Sequence, residues 1–223
     1  MPERQESYNG QEHYSTDEIA KGLTSVTISR GGALKLLGSV LLGAGSMGLF
    51  SGVASAGSVG SATAGIRATK PPWSPEYAHL QQRLKALNLP PVGNESYHIH
   101  ALLHVYVNGK PVTVPANIGL YPAKGIVSPI HTHDTSGVLH MEASRPYAFT
   151  LGDFFVVWGV RFSSTQLGAY TNGGGKRVWF YVNGKPIGYP KSYVMKAHDN
   201  IVVAYGKLSS FPKRPSAVAL RRY

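Results

Sequence analysis

Alternating apolar and polar side chains between residues 97 and 107 predict a β-strand with one buried face. Successive side chains of a strand point to opposite sides, so every second residue from Tyr97 to Val107 belongs to one face, and that face is entirely apolar. The opposite face carries His98, His100, Leu102, His104 and Tyr106. Asn108-Gly109 follows, which is typical of a type I′ hairpin turn, and the return strand is expected within 112–114.

The same hairpin sequence occurs twice in the chain. Tyr106–Pro111 reads YVNGKP, and the identical hexapeptide recurs 75 residues later as Tyr181–Pro186. The second copy has glycine, glycine and tryptophan at the positions of His98, His100 and His104, so the turn does not depend on the histidines. An internal duplication or the independent use of one hairpin sequence explains the repeat.

Two segments have the spacing of short helices. Ser74-Pro75-Glu76 is typical of a helix start, and apolar side chains follow at helical spacing up to Leu87. Thr150 and Asp153 are spaced as a capping box. The apolar stripe that follows, typical of a helix packed on a core, consists of Leu151, Phe154, Phe155 and Trp158.

These elements, with a last strand at 200–205, predict a mostly β domain over residues 76–206 with one or two short helices. The architecture is a β-sandwich, a barrel or a duplicated β-hairpin domain. Residues 207–223 form a basic tail with five Lys or Arg and no acid. We expect this tail to be solvated, with contact to a membrane or a polyanion as the second interpretation.

The N-terminal segment 1–56 predicts export. A polar leader precedes an apolar, small-residue stretch from Ala33 to Ala56, which ends in Ala54-Ser55-Ala56, the form of a signal-peptidase site. The motif around Arg30 resembles a twin-arginine signal, with Gly31 in place of the second arginine. The stretch is either a cleaved signal or an N-terminal transmembrane anchor; a buried glycine-rich helix is the alternative. We expect residues 57–75 to be a flexible linker and the rest to be periplasmic, extracellular or membrane-anchored facing outside.

A second group of histidines lies at 131–140. His131-Thr132-His133 is an HxH pair like His98-Ile99-His100, and an HxH pair on a strand places both imidazoles on one side, about 6.6 Å apart at the backbone. One metal ion can bridge such a pair. Six of the nine histidines fall within residues 98–140. The candidate metal ligands are His98, His100, His104, His131, His133, His140, Asp134 and Glu142.

Distances along a strand limit which of these side chains can share one ion. His98 and His104 are about 20 Å apart on an extended strand. We therefore expect His98 or His100 to act with His131 and His133. If Val138–Glu142 is a strand, His140 or Glu142 joins them, and His104 is expected outside this set or in a second site.

Amino-acid composition limits the kinds of metal site and of partner that the chain can have. The chain has no cysteine, which excludes a disulfide scaffold, a cysteine-type zinc finger, an iron–sulfur cluster and a blue-copper centre. An imidazole-rich site without sulfur favours copper or zinc, with iron as a third option. The net charge of +11 arises from 11 acidic residues against 22 basic ones. No recognition helix, phosphate loop or basic groove with interleaved aromatics accompanies this charge, so we expect no nucleic-acid partner.

Two alternatives to simple metal binding stay open. Gly125 followed by five residues and His131-Thr132-His133 matches the start of the first cupin motif, but Gly137 and Val138 stand where that motif has glutamate. A cupin-like metal-dependent oxygenase, or a hydrolase using a metal-bound water, is therefore one alternative, with no catalytic residue assigned. The other is an accessory structural subunit of a membrane protein complex.

The chain resembles a group of uncharacterised exported or membrane-anchored bacterial and archaeal proteins over residues 97–206. The elements that carry the resemblance are His98-Ile99-His100, Val114–Gly119, His131–Gly137 (HTHDTSG), His140, Glu142 and Phe149–Phe155. That group often has a further histidine two positions after the first HxH, where this chain has Leu102 and places His104 later. The resemblance implies a secreted domain with a metal site and implies no particular activity.

From these observations we expect an exported, histidine-rich protein that binds a transition metal. Its role would be metal handling or electron transfer at the outer face of the membrane. The expected partners are a metal ion, a membrane surface reached by the anchor or the basic tail, and a membrane protein complex.

Overall fold

The alternating segment forms strand β1, the central strand of the main sheet, with the bounds that the pattern predicts. The computed structural model describes residues 61–94 and 96–223, so the predicted export segment at 1–56 lies outside the described residues. In chain order the elements are α1 (Leu80–Leu87), β1 (Tyr97–Val107), β2 (Lys110–Val112), β3 (Leu120–Tyr121), β4 (Ile126–Val127), β5 (Ile130–His131), β6 (Val138–Ala143), α2 (Leu151–Trp158), β7 (Phe162–Ser163), β8 (Gln166–Leu167), β9 (Tyr170–Thr171), β10 (Arg177–Val182), β11 (Lys185–Pro186) and β12 (Asn200–Gly206).

The main sheet has the strand order β11-β10-β12-β1-β6-β5, with β2 paired to the end of β1. Strands β1 and β12 are parallel, and the other pairs are antiparallel. The mostly β prediction with two short helices is confirmed. The sheet does not close into a barrel, because β11 and β5 remain at its two ends. Among the described residues there are one large sheet and two small ones, whereas cupins have a two-sheet jelly roll.

The repeated hexapeptide forms two similar hairpins. Asn108 and Gly109 have φ values of 49° and 83°, and Asn183 and Gly184 have 52° and 83°. A type I′ turn needs positive φ at both central residues, so the turn prediction is confirmed at both sites. The first hairpin is β1–β2 and the second is β10–β11, and β12 lies between their long strands.

The apolar face of β1 packs in the main core with helix α2. The capping box of α2 is confirmed, since the Thr150 hydroxyl accepts from the Asp153 N–H and the Asp153 carboxylate accepts from the Thr150 N–H. Its stripe is buried as predicted, at Leu151, Phe154, Phe155 and Trp158. In the described part of the chain, no helix has both the length and the apolar character to cross a membrane.

Residues 61–75, for which the sequence predicts a linker, pack on the domain. Trp73 is buried, and its ring meets the ring of Trp158 edge to face at 5.9 Å. The indole N–H of Trp158 donates to the main-chain oxygen of Trp73 at 2.9 Å. Arg67 pairs its backbone with Val160. A single tryptophan can contribute a large buried area to a core. The many small residues in segment 57–75 favour a linker and do not indicate this burial.

Helix α1 begins at Leu80, later than predicted, and the Glu76 carboxylate accepts from the main-chain N–H of His79 just before the helix. The buried Arg83 guanidinium donates to the Glu76 carboxylate and, at 2.6 Å, to the Glu76 main-chain oxygen. It also donates to the main-chain oxygens of Ala64 at 2.9 Å and Val157 at 3.3 Å. Val157 lies in the last turn of α2, where a cation is favoured by the helix dipole. Arg83 therefore joins α1, α2 and the segment before them.

The other face of the sheet is covered by the tail. Phe211 packs with Tyr181, Val202 and Ala204, and Leu220 packs with Leu102 and Val138. Phe211 and Leu220 are both buried. The basic tail at 207–223 therefore belongs to the folded domain through its apolar residues, although its sequence appears polar.

The Arg83 contacts generate a stability prediction. Replacing Arg83 by Met leaves the Glu76 carboxylate without its guanidinium partner, and we expect the free energy of unfolding to fall by about 3–5 kcal/mol, as for other broken buried ion pairs. Lys85→Met, at an exposed position of the same helix, is the control and should change it by less than about 0.5 kcal/mol. Urea unfolding measures both. A loss below about 1 kcal/mol for Arg83→Met would contradict this role.

Candidate metal centre

The register between β1 and β6 builds the histidine cluster. His98 lies opposite Glu142, and His100 lies opposite His140. Strand β5 pairs with the other edge of β6 and places His131 opposite His140. Three adjacent strands thus direct imidazoles and one carboxylate to the same face of the sheet. The strand prediction for 138–142 is confirmed by β6.

Six of the eight predicted ligands come together. The Nε2 atoms of His131 and His133 are 3.1 Å apart. His100 Nε2 lies 3.1 Å from His140 Nδ1. The carboxylate oxygen Oε1 of Glu142 lies 3.1 Å from His98 Nε2, 3.6 Å from His131 Nε2 and 3.7 Å from His140 Nδ1.

These separations match those between the ligands of one ion. A tetrahedral ion with bonds of about 2.0–2.1 Å holds its ligand atoms about 3.3–3.4 Å apart. Two sets of side chains have ligand atoms that all lie within 4.8 Å of one another: His131, His133, His140 and Glu142, and His98, His100 and His140. The cluster can therefore accept a metal with small side-chain movements.

His131 is held in position by its second ring nitrogen. Nδ1 donates to the main-chain oxygen of Ser128 at 2.9 Å, which leaves Nε2 unprotonated and directed to the cluster. A metal-binding histidine is typically oriented in this way. Thr132, between the two histidines, points to the other side, where its hydroxyl donates to the Pro115 carbonyl at 2.8 Å and accepts from the Ile118 N–H at 3.1 Å.

The remainder of the HTHDTSG motif makes the turn into β6. Asp134 accepts from the Ser136 N–H at 2.8 Å. The side chain of Ser136 and then this main-chain hydrogen bond lower the pKa of Asp134. Gly137 has a φ of 83°, and a Cβ there would lie 2.5 Å from the Leu103 main-chain oxygen. Asp134 thus closes the turn outside the candidate sets, and glycine is required where β6 meets β1.

His104 also lies outside the two candidate sets. It is six residues along β1 from His98 and pairs in register with Val202 of β12. Burial lowers the pKa of His104, and the neighbouring Asn200 side chain only partly opposes this shift. The expectation that His104 is too distant for the same ion agrees with this placement.

Burial keeps the central histidines neutral. Burial and then the neighbouring imidazoles lower the pKa of His140 to about 3 and that of His100 to about 4. Burial also lowers the pKa of His131 to about 4, although its hydrogen bond to Ser128 acts in the opposite direction. Near neutral pH these rings therefore carry lone pairs rather than charge, as metal ligands must.

The C-terminal part of the chain contributes two residues that the sequence did not indicate. The ring of Tyr223 stacks on His100 at 4.0 Å and meets His140 edge to face at 5.4 Å. His198 pairs its Nε2 with the Tyr223 main-chain oxygen at 3.2 Å and donates its main-chain N–H to the His100 carbonyl at 2.7 Å. Both residues lie far along the chain from the two HxH pairs, and no local pattern connects them.

Comparison with known proteins adds no further constraint. No protein-family model matches the chain, and neither a curated protein nor a solved structure is significantly similar to it.

The lowered pKa values predict that acid destabilises the metal-free fold. A histidine of the unfolded chain has a pKa near 6.5, so the unfolded state binds protons first as the pH falls. These groups therefore leave the free energy of unfolding unaffected above about pH 6.5 and lower it as the pH falls toward the folded pKa values of about 4 and 3. We expect the free energy of unfolding to fall by at least about 1.4 kcal/mol, the equivalent of one pKa unit, between pH 7 and pH 5.

Urea titrations in the presence of a chelator measure this effect. Replacing His140 by Gln should reduce the dependence on pH, because it removes the ring with the most strongly lowered pKa. Gln82→Ala, at an exposed position of α1, changes no titratable group and should leave it unchanged. Equal unfolding free energies at pH 7 and pH 5 would contradict the burial of neutral imidazoles.

Proposed function

We propose that this domain binds a transition-metal ion, copper or zinc, and acts in metal handling or electron transfer at the outer face of a membrane. The observation that carries the proposal is the set His131, His133, His140 and Glu142, whose ligand atoms lie within 4.8 Å of one another. Imidazole nitrogen and carboxylate oxygen without sulfur suit Cu(II) and Zn(II), and Fe(II) to a lesser degree.

The number of protein ligands favours binding over catalysis. Structural sites surround zinc with four protein ligands, whereas catalytic sites use three and keep one position for water. His131, His140 and Glu142 are buried, and His133 at the exposed edge is the fourth. Such a set leaves no free position on a tetrahedral ion. A hydrolase or oxygenase remains the alternative if one of the four stays unbound.

Placement outside the cell rests on the sequence of segment 1–56. The absence of cysteine and the large excess of basic residues are compatible with an exported domain beside anionic lipid. Arg221 and Arg222 are exposed near Tyr223 at the cluster and supply positive charge on this side of the domain. An accessory role in a membrane protein complex stays the third possibility and needs no metal.

Metal analysis of the full chain, purified without a histidine tag, tests the proposal. After dialysis against Cu(II) or Zn(II) and removal of loosely bound ions, we expect at least one equivalent per chain. Metal in 100-fold excess over Kd should also raise the free energy of unfolding by about 2.7 kcal/mol. Less than one-tenth of an equivalent, with no uptake on titration, would exclude both the binding and the metalloenzyme functions.

Matched substitutions locate the site. Replacing His131 by Gln should weaken binding by more than about 100-fold, since even partners of the ligands contribute 10–100-fold to metal affinity. His79→Gln makes the same substitution outside the cluster. The metal affinity of this control should equal that of the unmodified chain. Equal metal affinities for all three proteins would show that the metal binds outside the cluster.

For protein loaded with less than one equivalent of Cu(II), an EPR spectrum distinguishes the remaining functions. A tetragonal, imidazole-rich spectrum that is unaffected by added small anions indicates a closed binding site. A spectrum that changes when azide is added indicates an exchangeable position and favours an enzyme.

A further inference from the structure

The cluster contains more donors than one ion of the expected type uses. Five imidazoles and one carboxylate meet on one face, whereas zinc takes four ligands and Cu(II) favours a tetragonal arrangement. The donors are His98, His100, His131, His133, His140 and Glu142. They form two groups rather than one set of mutually close atoms.

Each group has an HxH pair of its own. His131 and His133 belong only to the first group, and His98 and His100 belong only to the second. The rings of His98 and His100 have their centroids 4.5 Å apart, and those of His131 and His133 4.7 Å apart. The two imidazoles of each pair are therefore similarly spaced, and the two pairs offer ligands at two neighbouring positions.

Glu142 and His140 connect the two places. Oε1 of Glu142 is 3.1 Å from His98 Nε2 and 3.6 Å from His131 Nε2, so this carboxylate borders both pairs. His140 belongs to both groups. A carboxylate has two oxygens and can bind more than one partner, which suits a bridging position. Paired metal ions in proteins are typically about 3.5–4 Å apart, and side chains shared between the two groups allow such a separation.

We propose that the cluster is a dinuclear metal centre, with one ion at His131 and His133, a second at His98 and His100, and Glu142 between them. His140 completes one of the two ligand sets. This inference rests on the proposed metal binding and adds the number of ions and their division among the ligands.

The two positions differ in their surroundings. The first is built on the buried His131, whose ring is fixed by the Ser128 carbonyl. The second is built on His98, with 37% of its side chain exposed, and on His100, on which the Tyr223 ring stacks. We expect the first position to bind more tightly, because its ligands are already oriented, and the second to fill at higher metal concentration.

Counting ions in matched variants tests the dinuclear centre. The full chain without a tag is titrated with Cu(II), and bound ions are counted by native mass spectrometry and by elemental analysis. We expect two ions per chain for the unmodified protein and for His79→Gln. His98→Gln and His133→Gln should each bind one. Both positions are exposed, so we expect both variants to keep the fold, which circular dichroism checks.

EPR spectroscopy tests whether the two ions are neighbours. Two Cu(II) ions about 4 Å apart couple magnetically, so the fully loaded protein should show much less EPR signal than its copper content. The single-ion variants should show a signal equal to their copper content. Two ions with full, uncoupled signal would contradict a shared Glu142.

The outcomes separate this inference from the proposed function. One ion in the unmodified chain, or no change in the count in both variants, overturns the dinuclear centre and leaves metal binding in place. Two ions in the unmodified chain and none in His98→Gln overturns the division into two positions. No bound ion at all overturns both proposals.

Discussion

The antiparallel pairing of β1 with β6 is the constraint on which the candidate site depends. It sets His98 against Glu142 and His100 against His140, and β5 then adds His131 beside His140. A shift of one residue would turn His140 and Glu142 of β6 to the opposite face. Gly137 protects this register, because only a residue without Cβ fits against the Leu103 carbonyl. The pairing of β1 with β6 therefore fixes both the apolar core on one face of the sheet and the histidine cluster on the opposite face.

The cluster is an unfavourable arrangement for the metal-free protein. Buried imidazoles at close range cannot all be protonated, and His140 has the most strongly lowered pKa of the three central rings. Buried polar groups that are close to one another and neutral suit a role as ligands, because strongly perturbed residues are often found at functional sites. Other parts of the fold offset this cost. They are the core around α2, the Arg83 contacts and the tail, which packs on the histidine-bearing face of the sheet.

Several parts of the fold follow from short-range chemistry and could be predicted. The alternation along 97–107 gives strand β1, the Asn-Gly pairs give both turns, and Thr150 with Asp153 gives the start of α2. Each depends on neighbouring residues only. The contact of Arg83 with Val157 and the packing of Trp73 against Trp158 could not be predicted, because they join residues that are 74 and 85 positions apart.

The sequence by itself determined the ligand types, the two HxH pairs and the exclusion of cysteine chemistry, because these follow from composition and from the two-residue period of a strand. Only the tertiary structure decided which side chains share a site. It placed Glu142 and His140 beside both pairs, left Asp134 outside, and brought Tyr223 onto His100. The reason is that strand register and the path of the tail depend on long-range packing, which no local pattern encodes.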